Sequence, residues 1–249
     1  MAARPFFRDM RYLIFDLDRT LWDFDGNAER VHRALFERCG LKDLLHVDFE
    51  TYHDRYRSIN DMLWEAYRNG TLSREKLSLQ RFTLTFAAFG VDVDSTDVVR
   101  LACKMDRDYL AECSLQVGLM PGARELLEWL HARRGDYRLA VASNGFVDVQ
   151  MQKMRNSGLL DFFDYVFLSE TMGSMKPDRR FFDEAKRRMG ATARECLMIG
   201  DDYQVDILGA MSAGIPQVFY NPQGRALPAD SAMPSYTVTS LSEIIKIVE

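Results

Sequence analysis

The chain has 249 residues, of which 47% are hydrophobic and 28% charged, and its formal net charge is −5. That length buries a substantial core in one large domain or two small ones, and that composition excludes a disordered chain. The negative balance argues against polymeric nucleic acid or a membrane surface as partner, but leaves room for a small phosphorylated metabolite, which a local cluster of cations can hold.

In chain order, an apolar run from Arg11 to Asp16 predicts a first strand. From about Gly26 to Cys113 the texture turns helical. Apolar residues recur at three- and four-residue spacing in Val31/Leu35, Met62/Leu63/Ala66/Tyr67 and Val98/Leu101/Ala102/Met105. Gly40, Asn69-Gly70 and Gly90 punctuate the stretch, and Ser73 and Ser95 suit helix N-caps. This predicts a four-helix insert, after which Pro121-Gly122 opens a helix returning to the core. Short apolar runs then alternate with amphipathic stretches, the pattern of a parallel α/β sheet. Strands are expected at Leu139–Ser143, Asp164–Leu168, Cys196–Gly200 and Pro216–Tyr220. Helices are expected at Val147–Asn156, Asp178–Met189, Val205–Ala213 and Leu241–Val248. The implied division is a core of residues 1–24 and 114–249, with an inserted domain of residues 25–113.

Cys39, Cys103, Cys113 and Cys196 form no CxxC pair and lie within apolar patterns, so buried free thiols and a cytoplasmic location are expected. Tyr12 to Phe15 is too short and too soon interrupted by acids for a signal peptide. No run approaches the roughly 20 apolar residues of a membrane span.

Four segments carry chemistry. Phe15-Asp16-Leu17-Asp18-Arg19-Thr20 places two carboxylates where an apolar strand ends, the place where open α/β sheets bind ligands. Ala142-Ser143-Asn144-Gly145 ends a second strand in hydrogen-bonding residues before a helix, a ready anion site. Lys176-Pro177 supplies a cation, with Pro177 suited to the first helical position. Gly200-Asp201-Asp202-Tyr203-Gln204-Val205-Asp206 places three acids after a further strand. Each segment alone also reads as ordinary turn, cap or surface residues. Together they supply the parts of phosphoryl transfer. Carboxylates alone would repel a phosphate dianion, so a hard divalent cation with oxygen ligands, Mg²⁺, is implied.

The order DxDxT, Ser, Lys-Pro, GDDxxxD resembles the four motifs of the haloacid dehalogenase superfamily, across nearly the whole chain. The helical insert resembles that family's C1 cap, so a Rossmann-like three-layer core with an inserted four-helix cap is expected. The resemblance implies that Asp16 is the nucleophile and Asp18 the general acid/base. Ser143 then binds phosphate with Asn144 and Gly145 beside it, and Lys176 neutralises nucleophile and phosphate. Asp16 and Asp201 bind Mg²⁺ directly, Asp18 through its backbone carbonyl, and Asp206 holds metal-bound water or orients Lys176. Asp202 stands where many relatives carry Ser or Thr. It could add a ligand, a supporting contact or a helix N-cap, and the cap is favoured.

The segments Leu21-Trp22-Asp23-Phe24-Asp25, Ser143-Asn144-Gly145-Phe146, Leu63-Trp64 to Gly70 and Gln80-Arg81-Phe82 resemble the pyrimidine 5′-nucleotidases of that superfamily. The implied substrates are nucleoside 5′-monophosphates. Phe24, Trp64 and Tyr67 could stack on a base, and Asn60 or Arg81 could read its polar edge. Trp64 and Tyr67 at helical spacing also read as packing residues of the cap. The alternatives are a sugar-phosphate or acylneuraminate phosphatase, or a phosphomutase of the same superfamily. A dehalogenase does not use the second acid, Asp18, and a receiver-like domain would lack the long insert. A catalytically dead binding protein would usually have lost an acid, and none is lost here. A monomer or weak homodimer is expected.

Overall fold

A computed structural model of the chain describes residues 9–227 and 229–249, so the first eight residues of the expected core lie outside the described part. The chain divides into two compact units, Met1–Phe24 with Val117–Glu249, and Asp25–Gln116.

The first unit is built on a parallel six-stranded sheet: β1 (Tyr12–Phe15), β2 (Arg138–Ser143), β3 (Tyr165–Leu168), β4 (Cys196–Gly200), β5 (Gln217–Tyr220) and β6 (Tyr236–Val238). The order is β3-β2-β1-β4-β5-β6, which puts β1 inside the sheet, with Phe15 opposite Val141 on one side and Ile199 on the other. Near-continuous apolar strands such as Leu139–Ala142 and Cys196–Ile199 follow from burial on both faces. Alternate residues face opposite layers. Ile14, Ala140, Ala142 and Met198 pack with Phe181, Phe182 and Ala185 on one side.

The helices, in chain order, are α1 (Phe24–Arg38), α2 (Leu41–Leu45), α3 (Phe49–Arg68), α4 (Arg74–Ala88), α5 (Thr96–Ser114), α6 (Ala123–His131), α7 (Val147–Asn156), α8 (Ser169–Met172), α9 (Arg179–Met189), α10 (Gly209–Ser212) and α11 (Ser242–Val248). A six-residue π-helix, Tyr203–Leu208, precedes α10. The single expected helix there is therefore two segments. Asp178 caps α9 by accepting from Arg180 N, so Pro177 lies before the helix and not at its first position. Strand β6 and the one-turn α8 were not expected from the sequence.

The second unit contains α1 from Asp25 onward and α2–α5, so the four expected helices are joined by a short fifth, α2. It buries a strip from each long helix: Val31 and Leu35, Tyr52 and Tyr56, Leu77 and Phe82, Met105 and Tyr109. Ser73 caps α4 through Lys76 N, whereas Ser95 precedes α5 without a side-chain cap bond. All four cysteines are free; Cys113 and Cys196 are buried, but Cys39 and Cys103 are partly exposed, correcting the expectation of four buried thiols. Among the described residues, no helix is long and apolar enough to cross a membrane.

Candidate active site

Parallel strands direct their carboxyl ends to one edge, and Asp16, Ser143 and Asp201 stand at the ends of β1, β2 and β4. Lys176 comes from the segment before α9. Its Nζ donates to Asp16 Oδ1 at 2.7 Å and to Asp206 Oδ1 at 2.6 Å, and it is 1% exposed. Burial disfavours its charge, but Asp16 and Asp206 outweigh that and raise the Lys176 pKa above its ordinary value.

Carboxylate oxygens of Asp16, Asp201 and Asp206 lie within 4.8 Å of one another. Burial raises all three pKa values, and Lys176 pulls those of Asp16 and Asp206 back. Repulsion from Asp18 adds to the rise at Asp16, and repulsion from Asp16 adds to it at Asp201 and Asp206, with Asp201 pushed up to about 7. Three crowded carboxylates, two of them buried, outnumber the one lysine that hydrogen-bonds them, with Arg19 acting on Asp201 as well. An all-oxygen set of this kind fits a hard divalent ion such as Mg²⁺. The carboxylate of Asp18 is not among the three.

The supports are local. Thr20 Oγ1 donates to Asp201 Oδ1 at 3.2 Å, joining the first motif to the fourth. Asp202 accepts from Gln204 N and Val205 N, both at 2.9 Å, which makes it the N-cap of the π-helix, as its sequence position suggested. Its own N–H donates to Asp206 Oδ2 at 3.2 Å. The loop after β1 turns through Arg19, whose φ of 64° is left-handed, and Arg19 N donates to Trp22 O.

Ser143 Oγ accepts from Gly145 N at 3.1 Å. The side chain of Asn144 turns to the backbone of Lys176. Its Nδ2 donates to Lys176 O at 2.7 Å and its Oδ1 accepts from Lys176 N at 2.9 Å, so its side chain anchors the lysine's backbone. Two residues that the sequence reading missed complete the site. Gln150 and Lys153 on α7 donate to Asp18 Oδ2 and Oδ1 at 2.8 and 2.7 Å. Polar residues on a helix ordinarily read as its solvated face, so only their three-residue spacing hinted at a shared partner.

The residues expected to choose the substrate separate into two groups. Phe24 is half-buried, edge-on to Trp22, with the Arg19 guanidinium 4.5 Å and the Lys153 ammonium 5.4 Å from its ring centre. In the second unit Trp64 and Tyr67 are partly exposed and pack edge to face at 5.5 Å. Arg81, by contrast, is 2% exposed inside the helical bundle, with Nε 3.1 Å from Asp106 Oδ1 and its guanidinium by Tyr109. Asn60 is also buried there. Neither presents a polar edge at the bundle's surface, which corrects the reading of them as base-contacting residues.

The family model for haloacid dehalogenase-like hydrolases matches residues 10–214. The chain is 32% identical to pyrimidine 5′-nucleotidase PynA of Streptococcus pneumoniae, over 96% of this chain and 95% of PynA. It is 29% identical to pyrimidine 5′-nucleotidase YjjG of Escherichia coli, over 95% and 97% of the two chains. Among solved structures, HAD-hydrolase YfnB of Bacillus subtilis bound to magnesium superposes with a TM-score of 0.82 at 27% identity, over 97% of this chain and 99% of that one. With Lys176 and the acids of the first and fourth motifs gathered at one edge of the sheet and the family model spanning most of its length, the chain belongs to the haloacid dehalogenase-like hydrolases.

Proposed function

We propose that this chain is a Mg²⁺-dependent phosphomonoesterase that passes the phosphoryl group through Asp16, with pyrimidine nucleoside 5′-monophosphates as its substrates. The observation that carries the reading is the buried contact of Lys176 with both Asp16 and Asp206, beside Asp201. That arrangement holds a carboxylate at a strand end, beside a buried cation and beside acids suited to a divalent ion that would offset the charge of a phosphate dianion.

Phosphate monoesters are among the slowest species to hydrolyse in water, and a covalent intermediate divides one high barrier into two. An Asp16 oxygen attacks phosphorus and the bond from phosphorus to the ester oxygen breaks. Asp18 gives its proton to the departing alkoxide. Water then attacks the aspartyl-phosphate and loses its proton to Asp18, and the bond between Asp16 and phosphorus cleaves to release inorganic phosphate. Lys176 holds Asp16 in place and offers positive charge to the transferring group, and Ser143 offers a hydroxyl to one of its oxygens. Asp16, Asp201 and Asp206, with the Asp18 carbonyl, would hold Mg²⁺, which when bound offsets the charge of phosphate and carboxylates.

The nucleotide preference draws on the likeness to two pyrimidine 5′-nucleotidases and on the partly exposed aromatic pair Trp64 and Tyr67. Steady-state kinetics on UMP, dUMP and dTMP against hexose phosphates and an acylneuraminate phosphate test it. A higher kcat/KM for every pyrimidine nucleotide is expected. If a sugar phosphate exceeds them all, the nucleotidase assignment falls while the phosphatase assignment stands.

A further inference from the structure

Gln150 and Lys153 lie three residues apart on α7, on one face of the helix, and are only 1% and 4% exposed. A buried lysine is uncommon and needs a partner. Here both turn to one carboxylate. Lys153 Nζ donates to Asp18 Oδ1 at 2.7 Å, and Gln150 Nε2 donates to Asp18 Oδ2 at 2.8 Å and to Ser143 Oγ at 2.7 Å. The Lys153 ammonium also sits 4.1 Å from the centre of the buried Trp22 ring. Gly145 gives independent support. A Cβ there would stand 2.5 Å from Gln150 Cδ and 2.6 Å from its Nε2, so the residue at 145 must lack a side chain for Gln150 to reach across. Trp22, Gly145, Gln150 and Lys153 therefore converge on the placing of a single acid.

We propose that Gln150 and Lys153 are positioning residues that fix the Asp18 carboxylate for proton transfer, and that Gln150 ties its position to the orientation of the Ser143 hydroxyl. The inference rests on the reading of Asp18 as the acid/base. A proton donor works only within hydrogen-bond reach of the leaving oxygen, and a displacement of about 1 Å can cost on the order of 10²-fold in rate. A carboxylate at the end of one short side chain swings freely unless both oxygens are held, and α7 holds both. At Ser143 the effect is directional. A hydroxyl has one hydrogen and two lone pairs. With Gly145 N and Gln150 Nε2 both donating to Ser143 Oγ, its hydrogen is the part left to offer to a phosphoryl oxygen.

The test uses the full chain with Mg²⁺ and a series of aryl phosphates whose phenols differ in pKa, read as phenol release in a single turnover with enzyme in excess. This isolates the first chemical step. Asp18→Asn should steepen the dependence of rate on phenol pKa, because poor leaving groups lose their proton donor. Lys153→Met should steepen it in the same sense, lower the rate for the poorest leaving group on the order of 10²-fold, and leave half-saturation within about threefold. Lys153→Arg should recover part of the loss. In the Asp18→Asn background, Lys153→Met should cost less than about twofold, since its target is already gone. Gln150→Leu carries the same readouts should Lys153→Met fail to fold. An equal loss across all leaving groups, or an undiminished loss in the Asp18→Asn background, overturns the inference while leaving the acid/base reading intact. If Asp18→Asn itself leaves the leaving-group dependence unchanged, the acid/base reading fails and the inference with it.

Discussion

Gly200 ends β4 at a point where a side chain has no room. A Cβ there would meet the carboxyl group, Cβ and Oδ2 of Asp206 closer than real Cβ contacts come. The missing side chain is thus what lets Asp206 reach Lys176 at 2.6 Å. Gly200→Ala is expected to leave the sheet folded but push Asp206 off the lysine, lowering kcat/KM by on the order of 10²-fold. Circular dichroism and kinetics on the same preparation check both halves; an alanine variant with unchanged kcat/KM would remove the steric argument. The acids themselves were legible in the sequence, because each follows an apolar strand and no core function explains two or three carboxylates there. Gln150 and Lys153 were not, because their partner Asp18 is more than 130 positions away and the polar residues of α7 look like a solvated face. The anchoring of Lys176 by the Asn144 side chain was not legible either, because it depends on the backbone of Lys176 passing beside it.

Elements differ in how far their sequence fixes them. The buried strands β1, β2, β4 and β5 read clearly as apolar runs. Strand β6 has three residues, Tyr236-Thr237-Val238, at the sheet's edge, too few to show a period. The π-helix at Tyr203–Leu208 offers no pattern that separates it from an α-helix; Asp206 N and Ile207 N both donate to Asp202 O there. In the helical bundle, polar residues occupy core positions. Arg81 and Asp106 form a pair whose side chains are 2% and 10% exposed. Removing one partner strands the other, so Arg81→Met should destabilise the bundle by about 3–5 kcal/mol, whereas Arg81→Met with Asp106→Leu should recover most of that in denaturant titrations. His32 adds a pH dependence. It is enclosed by Tyr52, His53 and Tyr56 of α3, Phe82 of α4 and Tyr109 of α5, and its Nδ1 lies 3.2 Å from Tyr52 Oη. Burial, with His53 and Arg81 adding to it, holds its pKa well below 6.5. The folded chain therefore binds fewer protons at this site than the unfolded one. The His32 contribution to stability is whole above pH 6.5, falls as pH drops below it with a limiting slope of about 1.4 kcal/mol per unit, and levels off below the folded-state pKa. His32→Gln should flatten that slope between pH 6.5 and 5, leaving the smaller share of the half-buried His53, whose pKa is also lowered. An unchanged slope in the variant would reassign the acid sensitivity.

At the scale of the whole molecule, the two units carry charge in different ways. The helical unit buries Arg81 against Asp106, with Arg74 and Arg107 also acting on that acid. The sheet unit gathers Asp16, Asp201 and Asp206 around Lys176, with Arg19 acting on Asp201, so at this cluster the acids outnumber the lysine that hydrogen-bonds them. Folding drives these carboxylates together, since Asp16 and Asp201 follow adjacent strands of a sheet whose register is fixed by a core on both faces. The large core should form without metal, which then relieves a repulsion that folding has created. Three results follow for the intact chain. Chelation should abolish turnover and Mg²⁺ restore it, with little change in secondary structure. Mg²⁺ at about 100 times its Kd should stabilise the fold by about 2.7 kcal/mol, seen as a rise in Tm. Binding should weaken as pH falls below about 7, because Asp201, raised to about 7, must lose its proton to act as a ligand. Asp201→Asn removes one of the crowded charges, so the apo variant should be at least as stable as the parent while its Mg²⁺-dependent rise in Tm disappears. A variant that keeps the full Mg²⁺ response would place the ion away from Asp201, and full activity after rigorous chelation would separate the acid cluster from metal altogether.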